Sequence, residues 1–210
     1  MQAFNIKVAC AVTGATEREL RYWDQRGIVR PSISAAAGRG SKRLYSFVDL
    51  VQARTAKQLR SGGLSLQRLR GALRVLKEHP EKVRHPLAEL RLVTDGSTLF
   101  RLTEDPKAMQ DILAAGQCVS VIAIKPHSDY VRDRLAAEIR PARESVEVRG
   151  RKYRVLVEPD VVDGGFIASC RALPGCVTDG ETSEEALRNI CDAIEDWHAA
   201  GRDQRLAKAE

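Results

Sequence analysis

Arginine and aromatic side chains recur at short intervals in the segment TGATERELRYWDQRGIVR, which starts at Thr13. Residues three and four apart on a helix share one side. The side chains that share a side here are Arg18, Arg21, Tyr22 and Gln25. An arginine can bridge two acceptors of a guanine or hold a phosphate, and the Tyr22 hydroxyl can donate to a phosphate. The spacing therefore indicates a helix that reads double-stranded DNA.

A basic loop, GRGSKRLY, follows at residues 38–45. Its cations Arg39, Lys42 and Arg43 alternate with small residues that let the backbone approach a partner closely. A basic hairpin tip beside a reading helix reaches the flanking DNA backbone, so the two segments predict a winged helix-turn-helix. The alternative interpretation is a solvated arginine surface with Tyr22 and Trp23 in the core. Leu20 and Trp23 are expected to pack inward in either case.

The charge of the chain is divided unevenly along its length. Residues 1–85 hold 17 Lys and Arg against 6 Asp and Glu, whereas the remainder holds 17 against 22. A split of this size predicts a cationic module for a polyanion and a neutral to acidic module with another role.

The cysteines and the hydropathy pattern indicate the cell compartment in which the protein is found. The five cysteines are scattered and show no metal-ligand spacing, which indicates reduced thiols rather than a disulfide framework or a zinc site. The sequence shows no signal-peptide pattern and no apolar run near the ~20 residues that span a bilayer. We therefore expect a cytoplasmic protein without a membrane segment, and the residues indicate no metal or cofactor.

Four helices are predicted before residue 80. The first covers residues 6–12, and Thr16 with Glu19 forms a capping box for the second, which ends at Gly27. Ser46 with Asp49 begins the third helix, which runs to about residue 60. Ser65 caps the fourth, and the next two prolines, Pro80 and Pro86, break it.

The remaining chain predicts a mixture of strands and helices. The central predictions are strands at 87–93, 99–102 and 119–124, with helices at 105–115 and 128–139. A hairpin at 146–157 with its turn at Arg149-Gly150, a strand at 166–171 and turns at 174–175 and 179–180 come next. Thr182 with Glu185 caps a last helix that ends near residue 199. This β-β-β-(β)-α order is typical of a compact α+β unit.

The amino-terminal third resembles the DNA-binding domain of the MerR family of bacterial regulators. The shared features are the T-G turn, the L-R-Y helix, the G-I-V exit, the R-L-Y wing strand and the G-L-S-L helix junction, over about residues 4–77. The resemblance implies dimers on inverted repeats and DNA contacts by Arg18, Arg21, Tyr22, Lys42, Arg43 and Tyr45. With Thr16 at the helix start and Arg39 in the loop, these residues form the candidate DNA-binding set. One departure is that Pro80 and Pro86 interrupt the long dimerising helix usual in that family.

Residues 153–199 resemble the HicB antitoxin-like domain through the string LPGCVTDGETSEEA and the strands before it. That resemblance implies a partial RNase H-like α+β fold that binds a toxin ribonuclease or self-assembles. HicB antitoxins usually carry their DNA-binding part after this domain, so the order here is reversed.

Clustered carboxylates in this region admit three interpretations. The residues are Glu158, Asp160, Asp163, Asp179 and Glu181. Such a cluster can hold Mg²⁺ for phosphodiester cleavage. It can also serve turns and a helix start, which its position beside Gly and Pro favours. The third interpretation is an acidic docking face for a basic protein.

The sequence thus predicts an α+β protein of three parts: a winged helix-turn-helix at 1–80, a central α/β or oligomerisation segment at 81–144 and a HicB-like domain at 145–210. The predicted function is non-enzymatic transcription regulation by a homo-oligomer on an inverted-repeat operator. The first alternative is an autoregulating antitoxin with a small basic toxin as its partner. The second alternative is a metal-dependent ribonuclease.

Overall fold

The computed structural model divides the chain into two compact units, Met1–Ala136 and Ala137–Glu210. The predicted boundaries after residues 80 and 144 stay a prediction. The structure describes residues 2–35, 41–78, 84–90, 92–94, 99–102, 109–111, 122–124 and 127–206.

Four helices open the first unit: α1 (Ile6–Thr13), α2 (Glu17–Gln25), α3 (Phe47–Ser61) and α4 (Leu66–Glu78). The carboxamide oxygen of Asn5 accepts from the backbone N–H groups of Lys7 and Val8 and so begins α1. Gly14 ends that helix in the left-handed region at φ 72°, where a side chain would be strained. The four predicted helices are confirmed.

The start of α3 is fixed by a buried carboxylate. Ser46 and Asp49, predicted to begin this helix, form a capping box, and Asp49 is only 1% exposed. Its Oδ2 accepts from the Ser46 N–H at 2.8 Å and from both the N–H and the hydroxyl of Ser32 at 2.8 and 2.6 Å. Because a buried polar group is costly unless it is hydrogen-bonded, these donors satisfy the buried carboxyl group of Asp49. They also tie the segment after α2 to α3.

Two isolated antiparallel bridges form the described base of the wing. Ser34 pairs with Leu44, and Phe4 pairs with Tyr45. The tip of the predicted loop, residues 36–40, lies outside the described residues.

A small antiparallel sheet and two helices complete the first unit. Their bounds are α5 (Pro86–Glu89), β1 (Leu92–Thr94), β2 (Leu99–Leu102), β3 (Met109–Asp111), β4 (Ile122–Ile124) and α6 (Ser128–Glu138). Helix α6 crosses the unit boundary after Ala136. The sheet order is β3-β2-β1-β4. The predicted strand at 87–93 is wrong over 87–89, because Pro86 occupies the first turn of a short helix, where its missing N–H costs nothing. The predicted helix at 105–115 is wrong over 109–111, which pair with β2.

The core of this unit is made of aromatic and leucine side chains from helices, wing and sheet. Its largest fully buried members are Trp23, Tyr45, Phe4, Leu20, Leu50, Leu59, Leu64, Leu69, Leu87, Leu92 and Leu99.

The second unit is an antiparallel sheet with one long helix on one face. Its elements are β5 (Ala142–Val148), β6 (Arg151–Pro159), β7 (Phe166–Ser169), β8 (Val177–Gly180) and α7 (Ser183–Leu206), in the sheet order β5-β6-β7-β8. The predicted β-β-β-(β)-α order is confirmed, and the fourth strand, which the prediction left open, is present as β8. Asp179-Gly180, predicted as a turn, instead ends β8. The core between sheet and helix is lined by Val148, Val155, Val157, Ala168, Ala186, Ile190 and Ile194.

Candidate nucleic-acid interface

The solvent-facing side of α2 gathers the predicted reading residues. One shallow depression is lined by Glu17, Arg18, Arg21, Tyr22 and Gln25. Arg18, Arg21 and Gln25 are exposed, and the Tyr22 side chain is 39% exposed although tyrosine is apolar over most of its surface. The predicted placement of these residues on one side of a helix is confirmed.

Two contacts order this face. The Arg21 guanidinium pairs with the Glu17 carboxylate one turn earlier, and both side chains are about half exposed. The Arg26 guanidinium lies 5.1 Å from the centre of the Tyr22 ring, in cation–π geometry. The Arg21 guanidinium therefore already has an anionic partner, one that a phosphate would have to replace.

The opposite side of α2 fixes the helix to the core. Leu20 and Trp23 are each 1% exposed, as predicted from their position on a different side of the helix. Burying an aromatic and an aliphatic side chain of this size stabilises the domain by about 1.5–3 kcal/mol each. The exposed face is thus presented by a helix whose orientation is set by its buried face.

The start of α2 is held by a carboxylate with several donors. Thr16 accepts from the Glu19 N–H, and Glu19 Oε2 accepts from the Thr16 N–H at 2.8 Å, which completes the predicted capping box. Lys57 of α3 donates to both Glu19 oxygens at 2.8 Å. Burial acts to raise the pKa of Glu19, but the hydrogen bonds from Lys57 and Thr16 and the Lys57 charge together hold that pKa below its ordinary value. Thr16 itself is exposed at the helix start.

The wing is attached to the other end of α2 by an ion pair. Arg43 Nε lies 3.1 Å from Asp24 Oδ2, and each side chain is only 18% exposed. Arg43, predicted to contact DNA, therefore occupies a structural position between wing and helix. Lys42 beside it is exposed, and Arg39 lies outside the described residues.

Tyr45 does not lie on this surface. Its side chain is 1% exposed, so the predicted contact between Tyr45 and DNA has no accessible atom in this structure. Among the described residues the buried hydroxyl has no hydrogen-bond partner, and burial is the main cause that raises the pKa of Tyr45 to about 12. Strand alternation explains the correction, because Tyr45 pairs with Phe4 and packs inward with it.

Arg54 is a positioning residue that the sequence did not indicate. Its Nη1 donates to the Thr13 carbonyl, at the turn before α2, at 3.1 Å. Its guanidinium lies 4.0 Å from the ring centre of Tyr130 in α6. These partners are 41 and 76 positions away, so no local pattern could have found them.

The acidic residues of the second unit were the alternative candidates for chemistry. Asp160, Asp163 and Asp179 line a shallow depression with Phe166 and Val177. Asp160 Oδ1 accepts from the backbone N–H groups of Val162 and Asp163, at 2.9 and 2.8 Å, and so builds a turn. Among the described residues, no group of three or more His, Cys, Asp or Glu side chains could hold a metal ion.

Glu181 and Glu185 complete the description of this region. Glu185 donates its N–H to the Thr182 hydroxyl as predicted, and its carboxylate accepts from the Glu181 N–H rather than from that of Thr182. Glu158 lies in β6. The four cysteines that the structure describes, Cys10, Cys170, Cys176 and Cys191, are free thiols. None of the helices in the described part of the chain has the length and apolar character needed to cross a membrane.

Comparison with known proteins identifies similarity at both ends of the chain. An uncharacterized HTH-type transcriptional regulator of Mycobacterium tuberculosis is 39% identical over 116 residues, which cover 55% of this chain and 50% of the relative. A regulator of Mycobacterium bovis gives the same values. The chain thus spans half the length of these relatives. A UPF0150 protein of Synechocystis is 51% identical over 43 residues, 20% of this chain and 53% of that protein, and one of Thermoplasma acidophilum is 49% identical over 43 residues.

The UPF0150 similarity falls in the carboxy-terminal region. Residues 4–76 match the family described as MerR HTH family regulatory protein, and this range contains α1 to α3 and most of α4. The amino-terminal part of the chain therefore carries a MerR helix-turn-helix domain.

Proposed function

We propose that this protein is a sequence-specific DNA-binding transcription regulator without enzymatic activity. The observation that carries the proposal is the single exposed face of α2, on which Arg18, Arg21, Tyr22 and Gln25 lie together. It lies within the range that matches the MerR HTH family, and the mycobacterial relatives are named as transcriptional regulators.

In the proposed complex, α2 enters the major groove and its arginines contact base edges or phosphates. Lys42, with Arg39 at the wing tip, contacts the flanking backbone. The excess of cations in residues 1–85 supports this arrangement, because each cation that neutralises a phosphate releases a counterion.

The regulator acts as a dimer or higher oligomer, since a two-fold protein reads a two-fold site. We therefore expect an inverted-repeat operator. The HicB-like domain, with its partial RNase H-like fold at residues 145–210, supplies assembly or partner binding.

The test starts with the selection of bound fragments from the source genome by the full-length protein, followed by fluorescence anisotropy on the enriched site. Arg18→Ala and Arg21→Ala should each weaken binding by about 1–3 kcal/mol where the residue reads a base. Where the residue holds a phosphate, the loss of affinity should be the same for all DNA sequences. The slope of log affinity against log salt concentration should then become smaller in magnitude by about 1.

The matched control is Arg171→Ala, an exposed arginine of the second unit. No enrichment over random DNA would contradict the proposal, as would affinities of the two α2 variants equal to that of the control.

A second candidate function is an antitoxin that represses its own operon. The similarity of the carboxy-terminal region to UPF0150 proteins, together with the depression lined by Asp160, Asp163 and Asp179, favours this candidate. The partner would be a small basic toxin, held by charge complementarity. Co-expression with the product of each adjacent small gene, followed by purification of the complex, distinguishes the antitoxin from a free-standing regulator.

A further inference from the structure

Among the described residues of the second unit, strand β5 leaves one of its backbone edges unpaired. It is the first strand in the order β5-β6-β7-β8, and its residues 142–145 are all exposed. An edge strand presents a row of N–H and C=O groups to which another strand can bond. This edge runs the full seven residues of Ala142–Val148, and no proline lies within it.

The sequence of this strand, ARESVEV, is charge-complementary to itself about Ser145. Arg143 and Glu147 each lie two residues from that centre, on the same face of the sheet, because side chains alternate with a period of two. If two copies pair antiparallel about Ser145, Arg143 of each copy lies opposite Glu147 of the other. Two cross-strand ion pairs then form at directly opposed positions, where opposite charges stabilise the pairing and like charges oppose it.

The neighbouring strand extends the complementarity. Glu147 is directly opposite Lys152 of β6 within the same chain. In the proposed dimer, Glu147 lies between Lys152 of its own β6 and Arg143 of the second copy's β5. The three charges therefore alternate in sign across the joined strands. Charged side chains on an edge strand disfavour pairing with a strand of arbitrary sequence. The charges of β5 favour pairing with β5 of a second copy.

Helix α7 supplies a second, independent observation. Its 24 residues span about 36 Å. The helix begins at β8, where Ala186 lies against Gly180, and reaches the β5–β6 hairpin, where His198 Nε2 lies 2.6 Å from the Tyr153 hydroxyl. Ile194 is the last buried residue of α7 that the structure describes, and twelve residues of helix follow it. The Trp197 side chain, 41% exposed, lies on that segment.

We propose that two copies of this chain join edge to edge through β5, antiparallel about Ser145, into one eight-stranded sheet. The two-fold axis is perpendicular to the sheet, so both α7 helices lie on the same face. This interface takes the place of the long dimerising helix. It adds to the proposed function without depending on it, because the assembly can be measured in the absence of DNA.

The test is sedimentation equilibrium of the full-length protein and of the variants Arg143→Glu and Glu147→Arg. Each variant alone places like charges opposite each other at both positions, so its dimer dissociation constant should rise by roughly tenfold or more. An equimolar mixture of the two variants restores opposite charges at both positions and should dimerise like the wild type. The double variant restores them as well.

Arg171→Glu is the matched control for a reversed charge outside the edge, and far-ultraviolet circular dichroism checks that each variant is folded. A wild type that is monomeric up to about 100 µM would overturn the proposal, since stable homodimers form well below that concentration. A wild-type dimer that the single variants leave intact, or a mixture that fails to restore assembly, would also overturn it.

Ser145→Cys tests the same interface without changing its charges. Its result therefore does not depend on whether the charge variants fold. The two introduced thiols face each other at the two-fold axis, so mild oxidation should produce a disulfide between the two copies at position 145, identified by mass spectrometry of the linked peptides. A covalent dimer linked only through the native cysteines would count against the β5 interface.

Discussion

The Lys57 ammonium lies 2.8 Å from both carboxylate oxygens of Glu19, and the same carboxylate accepts from the Thr16 backbone N–H. Lys57 belongs to α3 and Glu19 to the first turn of α2. A single side chain thus begins one helix and attaches it to another that starts 30 residues later. The direction of the candidate reading helix depends on this contact as well as on the buried Trp23.

Lys57→Met should lower the free energy of unfolding by about 0.2–1 kcal/mol near pH 7, the usual range for a partly exposed pair. Because the pKa of Glu19 is lower in the folded state than in the unfolded chain, this stabilisation is present above the unfolded value of about 4.3 and is lost as the pH falls through the folded value. Urea titrations at several pH values between 7 and 3 measure the difference. A gap between wild type and variant that persists at pH 3 would contradict the assignment. Lys7→Met, at an exposed lysine of α1, is the control.

Tyr45→Phe separates a core role for this residue from a DNA contact. The hydroxyl is buried and has no hydrogen-bond partner in the part of the chain that the structure describes, so its removal should raise stability by about 1 kcal/mol, the lower end of the cost of an unsatisfied buried group. DNA affinity should stay within a factor of about two of the wild type. Thermal unfolding and anisotropy measure both properties, and a large loss of affinity in a stable variant would restore Tyr45 to the DNA-binding set.

Glu17→Gln should strengthen DNA binding. The Glu17 carboxylate holds the Arg21 guanidinium, and it adds a negative charge to the face proposed to meet the phosphates. Removal of this charge should tighten DNA binding roughly threefold at low salt. Binding no longer has to break an exposed ion pair worth about 0.3–0.5 kcal/mol, and the repulsion between Glu17 and the phosphates is also lost. The gain should fade as salt is added, because exposed charges are screened. Tighter binding that is independent of salt would point to a change in helix stability instead.

His127 should make the first unit less stable in mild acid. Burial, and then the nearby Arg54 charge, lower its pKa in the folded state, so the unfolded chain binds the proton more strongly. Stability is therefore complete above the unfolded value of about 6.5 and falls as the pH drops below it. Glutamine does not titrate, so in His127→Gln the midpoint of urea unfolding should change less between pH 7.5 and pH 5.5 than it does in the wild type. Equal slopes in the two proteins would assign the pH response to other groups.

Gly180→Ala should disrupt the joint between β8 and α7. An added Cβ would lie 2.4 Å from the backbone nitrogen of Ala186, and backbone cannot give way as a flexible side chain can. We expect a loss of about 1–3 kcal/mol or more, as for other overpacked sites. Gly150→Ala is the matched control, since its Cβ meets nothing within 4 Å and only the left-handed backbone opposes it, at about 1 kcal/mol. Similar losses in the two variants would remove the close approach as the cause.

Elements with a local signal were predicted well from the sequence. The capping boxes at Thr16 and Ser46 and the left-handed glycines place helix ends through contacts three or four residues apart, which a sequence displays directly. The same holds for the Arg149-Gly150 hairpin, whose turn requires positive φ at both positions.

Features that depend on distant partners were missed. Residues 109–111 are a strand because β2 lies beside them, and the periodicity of the sequence does not contain that neighbour. Arg43 and Tyr45 were grouped with the exposed wing, yet Asp24 lies 19 positions before Arg43, and the pairing of Tyr45 with Phe4 spans still more. The exposed side of α2 was predicted from the sequence because amphipathic spacing indicates which side of a helix is buried.

The residues that anchor α2 and those on its exposed face form almost separate sets. Leu20 and Trp23 pack into the core, and Thr16, Glu19 and Asp24 hold its two ends, whereas Arg18, Arg21, Tyr22 and Gln25 are exposed. Those four positions can therefore be randomised as a library on an unchanged scaffold. A domain built in this way lends itself to the engineering of new operator preferences, with stability and recognition altered one at a time.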